Sequence, residues 1–558
     1  MLFNSYIFVF AFLPIELLGF FLIGKRSRKG AMVFTLIMSC VFVSWLNIWY
    51  LPALVLSTVV NFLFAKGIIK SQEKVLQSTQ EMQNMSDGPK VPTHSGLGWT
   101  VVGVVLNILV LFFFKYFNFF AGSINEAFNT NIPMLSLILP LGISFYTFAN
   151  ISYLVDVYQN GDYGYSFLEY ASFMTFFPKL VQGPIALHSE IIPKFRDELT
   201  YKFNPENASK GIYSFAIGLA KKVLLADTFA LLANAGFSQY ERIYGLGAVL
   251  TMIAYSLQIY FDFSGYCDMA EGVAGMMNIE LPMNFNSPYK AVSVSDFWDR
   301  WHMTLTRFFT RYIYIPMGGS RVALPKICFN VIVVFLVSGL WHGANWTFIL
   351  WGALYGILMV IERLFRTFWA KKRANASVSF DGTKDIRRIT KEEGTGENSV
   401  VKNDTAKNDS GKHNVGVTIG RTLITGLRVA LTFMVVTVLW SLFRADSLSK
   451  FATLWGRVFH GYFFFEGVNP DMVNSISGLV EINILSKVVP NAVLLKFPGI
   501  FVIGLIVLGL CICFFARNVK EKLEKFAPTA GRMAITVLLL LWSILSMSGV
   551  TEFIYSYF

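Results

Sequence analysis

Apolar stretches of about 20 residues, the length a helix needs to cross a bilayer, recur along the whole chain between short polar connections. The first runs from Leu2 to Ile23 and is closed by Gly24-Lys25-Arg26-Ser27-Arg28-Lys29. Basic loops stay in the cytoplasm, so this cluster predicts an N-terminus outside. Because the cluster follows the apolar run, the run reads as an anchoring span and not as a cleaved leader. Shorter runs, Ala31 to Leu46 and Leu51 to Ala65, return the chain to the inside at the polar stretch Lys66 to Gly98. Val101 to Ala121 then crosses outward, and Leu135 to Tyr158 crosses back. Later runs are Tyr213 to Ala235, Gly247 to Phe263, Ile327 to Leu340, Phe348 to Ile361, Leu423 to Phe443, Ile500 to Phe515 and Met533 to Val550. The basic stretch Arg517 to Lys525 belongs inside, which leaves the C-terminus outside and requires an even number of crossings. The pattern predicts an all-α polytopic membrane protein with about ten to twelve transmembrane helices plus short embedded or interfacial helices.

Two segments break the rhythm. Lys371 to Lys412 is polar and nearly free of large apolar residues, so it predicts a flexible cytoplasmic loop. Ser447 to Leu495 is long for a loop yet carries Phe463-Phe464-Phe465, and reads as an extracytoplasmic segment, either a surface-lying helix or a partner face. Composition agrees with a membrane solvent: 54% of the 558 residues are apolar and only 15% charged, against about 25% charged in soluble chains. That deficit excludes a disordered chain, a nucleic-acid-binding domain and a disulfide-stapled secreted scaffold. The net charge of +12 lies between the apolar runs, where it orients the chain in the bilayer and does not mark a polyanion partner. Cys40, Cys267, Cys328, Cys511 and Cys513 form no CxxC pair, and a helix would turn Cys511 and Cys513 to different faces.

Against this background the polar residues at membrane depth are the candidates for function. Ser338-Gly339-Leu340-Trp341-His342-Gly343-Ala344-Asn345-Trp346 places a histidine between two apolar runs. Its neutral imidazole is a natural general base, or else a structural group bonded to a carbonyl. Ser295-Asp296-Phe297-Trp298-Asp299-Arg300-Trp301-His302 reads as an interfacial helix capped by Ser295, or as the wall of an access path on which His302 meets a donor. Asp262, Asp268 and Glu271, near the end of an apolar run, suit a proton or cation site, or a helix break pairing with arginines. Phe177-Pro178-Lys179-Leu180-Val181-Gln182-Gly183-Pro184 predicts a broken helix buried in protein. Lys221-Lys222 interrupts another run and reads as snorkelling cations. No Gly-x-Ser-x-Gly elbow or P-loop is present, and His302 and His342 stand forty residues apart with no close ligand set, so no metal site is supported.

Taken in order, Phe177–Ile185, Tyr260-Phe261-Asp262-Phe263-Ser264-Gly265-Tyr266, Phe297–His302, Tyr314-Ile315-Pro316-Met317-Gly318-Gly319 and Leu340-Trp341-His342-Gly343-Ala344 resemble the membrane-bound O-acyltransferase family, in its alginate O-acetyltransferase membrane-subunit-like branch. The resemblance implies a single membrane domain over residues 1–558, with helices around a central cavity. It implies that His342 matches the essential histidine and His302 the second histidine block. Asp296, Trp298, Arg300, Asn345, Trp341, Lys179, Gln182 and Asp262 carry over as motif members without assigned roles. It further implies no bound cofactor. A thioester donor, acetyl-CoA or a carrier's phosphopantetheine, would deliver an acyl group from the cytoplasm. Across the bacterial inner membrane, an exported polysaccharide or an extracytoplasmic polysaccharide-modifying partner would receive it. Leu187-His188 depart from the pattern, since relatives often carry an arginine there, and the Lys371 to Lys412 stretch is long. D-alanyl transfer to teichoic acids is the alternative inside the family, and a proton-coupled transporter the alternative outside it.

Overall fold

A computed structural model describes residues 1–83, 95–380, 415–460, 470–476, 498–547 and 553, which are helical and contain no strand. A π-helical turn at Phe8–Phe12 leads into α1 (Leu13–Gly24), and the Ser27 hydroxyl caps α2 (Arg28–Ser44) by accepting from Gly30 N–H. Then come α3 (Tyr50–Gln83), α4 (Leu97–Lys115), α5 (Phe117–Phe128), α6 (Ile143–Asn160), α7 (Phe167–Thr175), α8 (Phe177–Leu180) and α9 (His188–Arg196). α10 (Pro205–Ala220) passes through a π-helical segment at Lys221–Ala226 into α11 (Asp227–Ser238) without a break, and packs along α12 (Gly245–Met276). Two short helices, α13 (Val294–Trp298) and α14 (Met303–Phe309), precede the paired α15 (Leu324–His342) and α16 (Trp346–Phe380). The remainder is α17 (Val415–Arg444), α18 (Leu448–Val458), α19 (Pro470–Ile476), α20 (Pro498–Phe515), α21 (Val519–Glu524) and α22 (Ala530–Ser546).

Among the described residues, six stretches are long and apolar enough to cross a membrane: Tyr50–Ser78, Leu97–Lys115, Gly245–Met276, Leu324–His342, Trp346–Lys372 and Thr422–Arg444. Phe8–Gly24, Phe501–Phe515 and Ala530–Ser546 are shorter apolar helices. The expected Leu135–Tyr158 span is only partly helical. Residues 129–142 are non-helical and are pinned by two asparagines of α5: Asn125 Oδ1 accepts from Ile132 N–H at 2.8 Å and Asn118 Oδ1 from Leu135 N–H at 2.9 Å. Pro133 and Pro140 lack the donors a helix would need, and Gly142, at φ 73°, starts α6. α3 runs on beyond Ala65, so the first part of the polar Lys66–Gly98 stretch is helical. Residues 371–380 likewise extend α16, while 381–412 of the expected loop lie outside the described residues, as do Phe463–Phe465. α18 lies at the surface, with Leu454 buried and Leu448 and Trp455 exposed.

α12 is the central element: 83% of its most apolar window is buried inside the protein, against 22–33% for the other five long spans. Its contact with α10 is made backbone to backbone. A Cβ on Gly218 would stand 2.6 Å from the Gly265 carbonyl oxygen, and one on Gly211 2.6 Å from that of Gly272. The reciprocal distances, from Gly265 and Gly272, are 2.8 and 2.7 Å. The glycines are seven residues apart on each helix, so antiparallel α10 and α12 meet twice along one seam. Small residues permit this approach where lipid offers no hydrophobic drive between helices.

Charge reinforces the seam. Lys222 Nζ lies 2.8 Å from Asp262 and 2.9 Å from Asp227, and Lys221 Nζ 2.6 Å from Asp268. Lys222 is 2% exposed, so the expected snorkelling is replaced by a buried ion cluster. The acids also do not mark a helix break: α12 is continuous through all three, and the ion pairs of Asp262 and Asp268 are with lysines. Removing one partner from such a cluster strands a charge, which explains why acids and lysines occur together here. Gly218→Val would drive methyl groups into the Gly265 carbonyl. We expect it to cost about 2 kcal/mol or more, read as a lower thermal midpoint in detergent micelles. Gly426→Val, at a position with nothing within 4 Å, should leave that midpoint nearly unchanged.

Candidate active site

α15 ends at His342 and α16 begins four residues later, so the turn between them presents the imidazole. The two helices touch at glycines. A Cβ on Gly339 would strike the Phe348 carbonyl, one on Gly352 the Phe335 carbonyl, and one on Gly343 the Phe348 ring. Only this close pairing leaves His342 buried at 1% exposure. Its ring lies 4.7 Å from the Trp341 indole, 5.1 Å from Trp351 and 5.1 Å from Phe443. Lys115, at the end of α4, donates from Nζ to the Trp341 carbonyl, a cation at the C-terminal end of α15 where the helix dipole favours one.

The second histidine arrives on a separate segment. His302 adopts a left-handed conformation, φ 45° and ψ 50°, at the head of α14. Such a backbone is uncommon outside glycine and is held by its surroundings. Asn284 Oδ1 accepts from Thr304 N–H at 3.2 Å and from the Thr304 hydroxyl at 2.9 Å, and lies 3.0 Å from His302 Nδ1. A backbone N–H can only donate, so the accepting atom is the amide oxygen. His302 Nδ1 must then carry the proton, and Nε2 is the basic nitrogen. Nε2 is buried and has no hydrogen-bond partner among the described residues. Burial pushes the pKa of this imidazole down to about 3, which keeps it neutral. The Thr304 hydroxyl accepts from Ile185 N–H at 3.0 Å, tying the buried 181–187 segment to the same network.

Both imidazoles meet at one indole. Trp341 lies 6.0 Å from the His302 ring, and Phe263 of α12 packs against His302 at 4.8 Å. The indole N–H groups of Trp298, Trp341 and Trp351 are buried and donate to nothing among the described residues. Beside His302, Trp298, Met303, Arg307 and Arg311 line an open groove of 460 Å³. Glu190 holds Arg307 at 2.6 and 2.9 Å, and Asp156 holds Arg311 at 2.8 Å. His188, where an arginine was expected, is buried 3.2 Å from the same Asp156.

The other sequence candidates stand at different distances from this centre. Trp298 reaches it through Trp351, at 5.7 Å. Asp262 sits beside Phe263 but is engaged by Lys222. Lys179 and Gln182 are buried in the segment that ends at Ile185, with Lys179 Nζ 3.9 Å from the Phe173 ring centroid. Asp296 and Arg300 pair at 2.7 Å and brace the 286–300 turn. Ser293, not Ser295, caps that helix; Ser295 instead donates to Glu362 at 2.8 Å. Asn345 spends both polar ends locally, donating to the Asp446 carbonyl and accepting from Thr347 N–H. Sequence reasoning passed over Asn284, Thr304, Lys115, Trp351 and Phe443. Only Lys115, a cation inside an apolar run, left a readable signal.

Comparison with known proteins gives the family. The family model for the MBOAT, membrane-bound O-acyltransferase, family matches residues 158–379, which contain both histidines. Peptidoglycan O-acetyltransferase of Helicobacter pylori is 39% identical over 392 residues, 65% of this chain and 71% of the relative. The chain belongs to the membrane-bound O-acyltransferase family. The probable alginate O-acetylase AlgI of Pseudomonas aeruginosa is 36% identical over 370 residues, 65% of this chain and 66% of that one. Teichoic acid D-alanyltransferase of Bacillus subtilis is 28% identical over 283 residues, 48% of this chain and 69% of the relative. In this O-acyltransferase the family model ends before α17, yet Phe443 of α17 completes the wall around His342.

Asn284→Leu removes the acceptor that sets the His302 tautomer. We expect acyl transfer to fall about 10²-fold, with ¹⁵N NMR of the labelled imidazole showing the proton no longer confined to Nδ1. Asn284→Ser, which keeps an acceptor, should recover part of both.

Proposed function

We propose that this O-acyltransferase moves an acetyl group from a cytoplasmic thioester to a hydroxyl acceptor on the other side of the bilayer. The acceptor is an exported polysaccharide, or an extracytoplasmic partner protein that modifies one. The reading is carried by one observation: two buried imidazoles from separate segments converge on the Trp341 indole. The donor, acetyl-CoA or a carrier's phosphopantetheine, approaches along the groove over α13 and α14, where Arg307 and Arg311 lie. His302 Nε2, the open acceptor, receives an amide N–H of the pantetheine arm. His342 takes the proton of the acceptor hydroxyl as its oxygen attacks the thioester carbon. The carbonyl becomes an oxyanion, and the indole N–H groups of Trp341 and Trp351, which donate to nothing among the described residues, are donors near His342. The C–S bond then breaks, the ester forms, and the thiolate leaves and recovers a proton. General-base help is worth about 10²–10⁴-fold and each oxyanion donor about 10²–10³-fold.

The acetylating relatives cover more of the chain at higher identity than the D-alanylating one, which favours acetyl over D-alanyl. Orientation follows the basic loops: Arg517–Lys525 and Lys25–Lys29 inside, both termini outside, in a bacterial inner membrane. The Tyr6 hydroxyl donates to the Ile544 and Met547 carbonyls at 3.0 Å each, which supports placing both end segments on one side.

Labelled acetyl-CoA should transfer its acetyl group to an acceptor with wild-type protein in proteoliposomes. His342→Ala should lower the rate by at least about 10³-fold while remaining folded and membrane-inserted. Transfer by His342→Ala at the wild-type rate would falsify the mechanism. Faster labelling from a D-alanyl carrier would move the substrate to that class, and substrate flux without any donor would indicate a transporter.

A further inference from the structure

Away from the histidines, a cavity of 790 Å³ lies between the α10–α11 rod, α20 and α22. Its walls are apolar, with Leu224 and Phe229 on one side, Ile512 on another and Leu539 on the third. Leu508 and Ile535 of the lining are 53% and 55% exposed, so the slot opens sideways between membrane helices. At the turn from α20 to α22 the lining changes character and becomes Lys221, Arg517 and Lys522. Lys221 is matched by Asp268 at 2.6 Å. Glu521, the carboxylate nearest in the chain, accepts instead from Asn518 Nδ2 at 2.9 Å. Lys520 faces Glu280 at 3.6 Å. Among the described residues the side chains of Arg517 and Lys522 make no hydrogen bond or close ion pair, and Lys522 meets Asp268, already held by Lys221, only at longer range. An apolar slot open to the bilayer, whose basic end sets Lys221, Arg517 and Lys522 against Asp268 on the side the basic loops place in the cytoplasm, is complementary to an anionic amphiphile.

We propose that this slot binds an anionic phospholipid, with an acyl chain along Leu224, Ile512 and Leu539 and the phosphate between Arg517 and Lys522. Basic pockets between membrane helices on the cytoplasmic side select anionic headgroups in this way. The slot also touches Tyr260 and Phe261 of α12, immediately before the Asp262-Phe263 pair that abuts the Lys222 cluster and His302. A bound lipid therefore supports the helix on which the site is built. This inference is independent of the acyl group transferred.

The test is native mass spectrometry of protein released from nanodiscs of equal phosphatidylglycerol and phosphatidylcholine. Wild-type protein should retain phosphatidylglycerol about tenfold or more over phosphatidylcholine. The Arg517→Gln/Lys522→Gln double variant should lose that preference while keeping its thermal midpoint. Leu539→Trp, which fills the slot and leaves the basic end intact, should lower retention of phosphatidylglycerol as well. Equal preference in the double variant, or undiminished retention in Leu539→Trp, overturns the proposal. So does displacement of the adduct by millimolar inorganic phosphate, which would make this a site for the free ion, or the absence of any wild-type adduct.

Discussion

Helices in lipid gain nothing from leaving an oily solvent for an oily neighbour, so what holds them is close contact. Here that contact is made at glycines. Gly211 and Gly218 of α10 meet Gly272 and Gly265 of α12 with only hydrogen atoms between the backbones. The same device closes α15 on α16 through Gly339 and Gly352. Dispersion between atoms at contact distance decays within an ångström or so, and every later feature depends on those separations. The first seam positions Phe263 against His302, and the second buries His342 against Trp351.

Polar groups inside this frame follow two different rules. Lys222, Asp262 and Asp227 are charged and mutually compensated, an arrangement that holds helices and leaves little freedom for chemistry. The histidines are enclosed by aromatic rings instead. Several nearby donors and acceptors, His302 Nε2 and the indole N–H groups among them, have no partner among the described residues. Such groups are costly when empty and strong when a substrate supplies the missing half, because the surrounding dielectric is low. The distinction is physical: saturated polar clusters brace the helices, and unsaturated ones keep hydrogen-bonding capacity for an added group.

Some of this was legible in the linear chain. The broken helix at Pro178–Pro184 was readable because proline and glycine at membrane depth allow few alternatives. The histidine blocks stood out because an ionisable residue in an apolar run is rare. Asn284 was not legible. A single asparagine in a loop carries no periodic signal, and its value comes from Thr304 and His302 converging on its oxygen. Lys222 was misread for a related reason. A lysine in an apolar run suits either snorkelling or a buried pair, and only the position of Asp262, forty residues later, decides between them.

The sequence by itself determined the solvent, the helical class and the two histidine blocks. These are properties of local composition and of spacing along one chain, which hydropathy and charge report directly. Tertiary structure decided the rest: where the long runs stop being helix, which cations are compensated, and which nitrogen of His302 is basic. It also decided that His302 and His342 share one indole, and that an apolar slot ends in a basic cluster. Each of these rests on contacts between residues far apart in sequence, made at distances of a few ångströms, and no one-dimensional pattern encodes that distance.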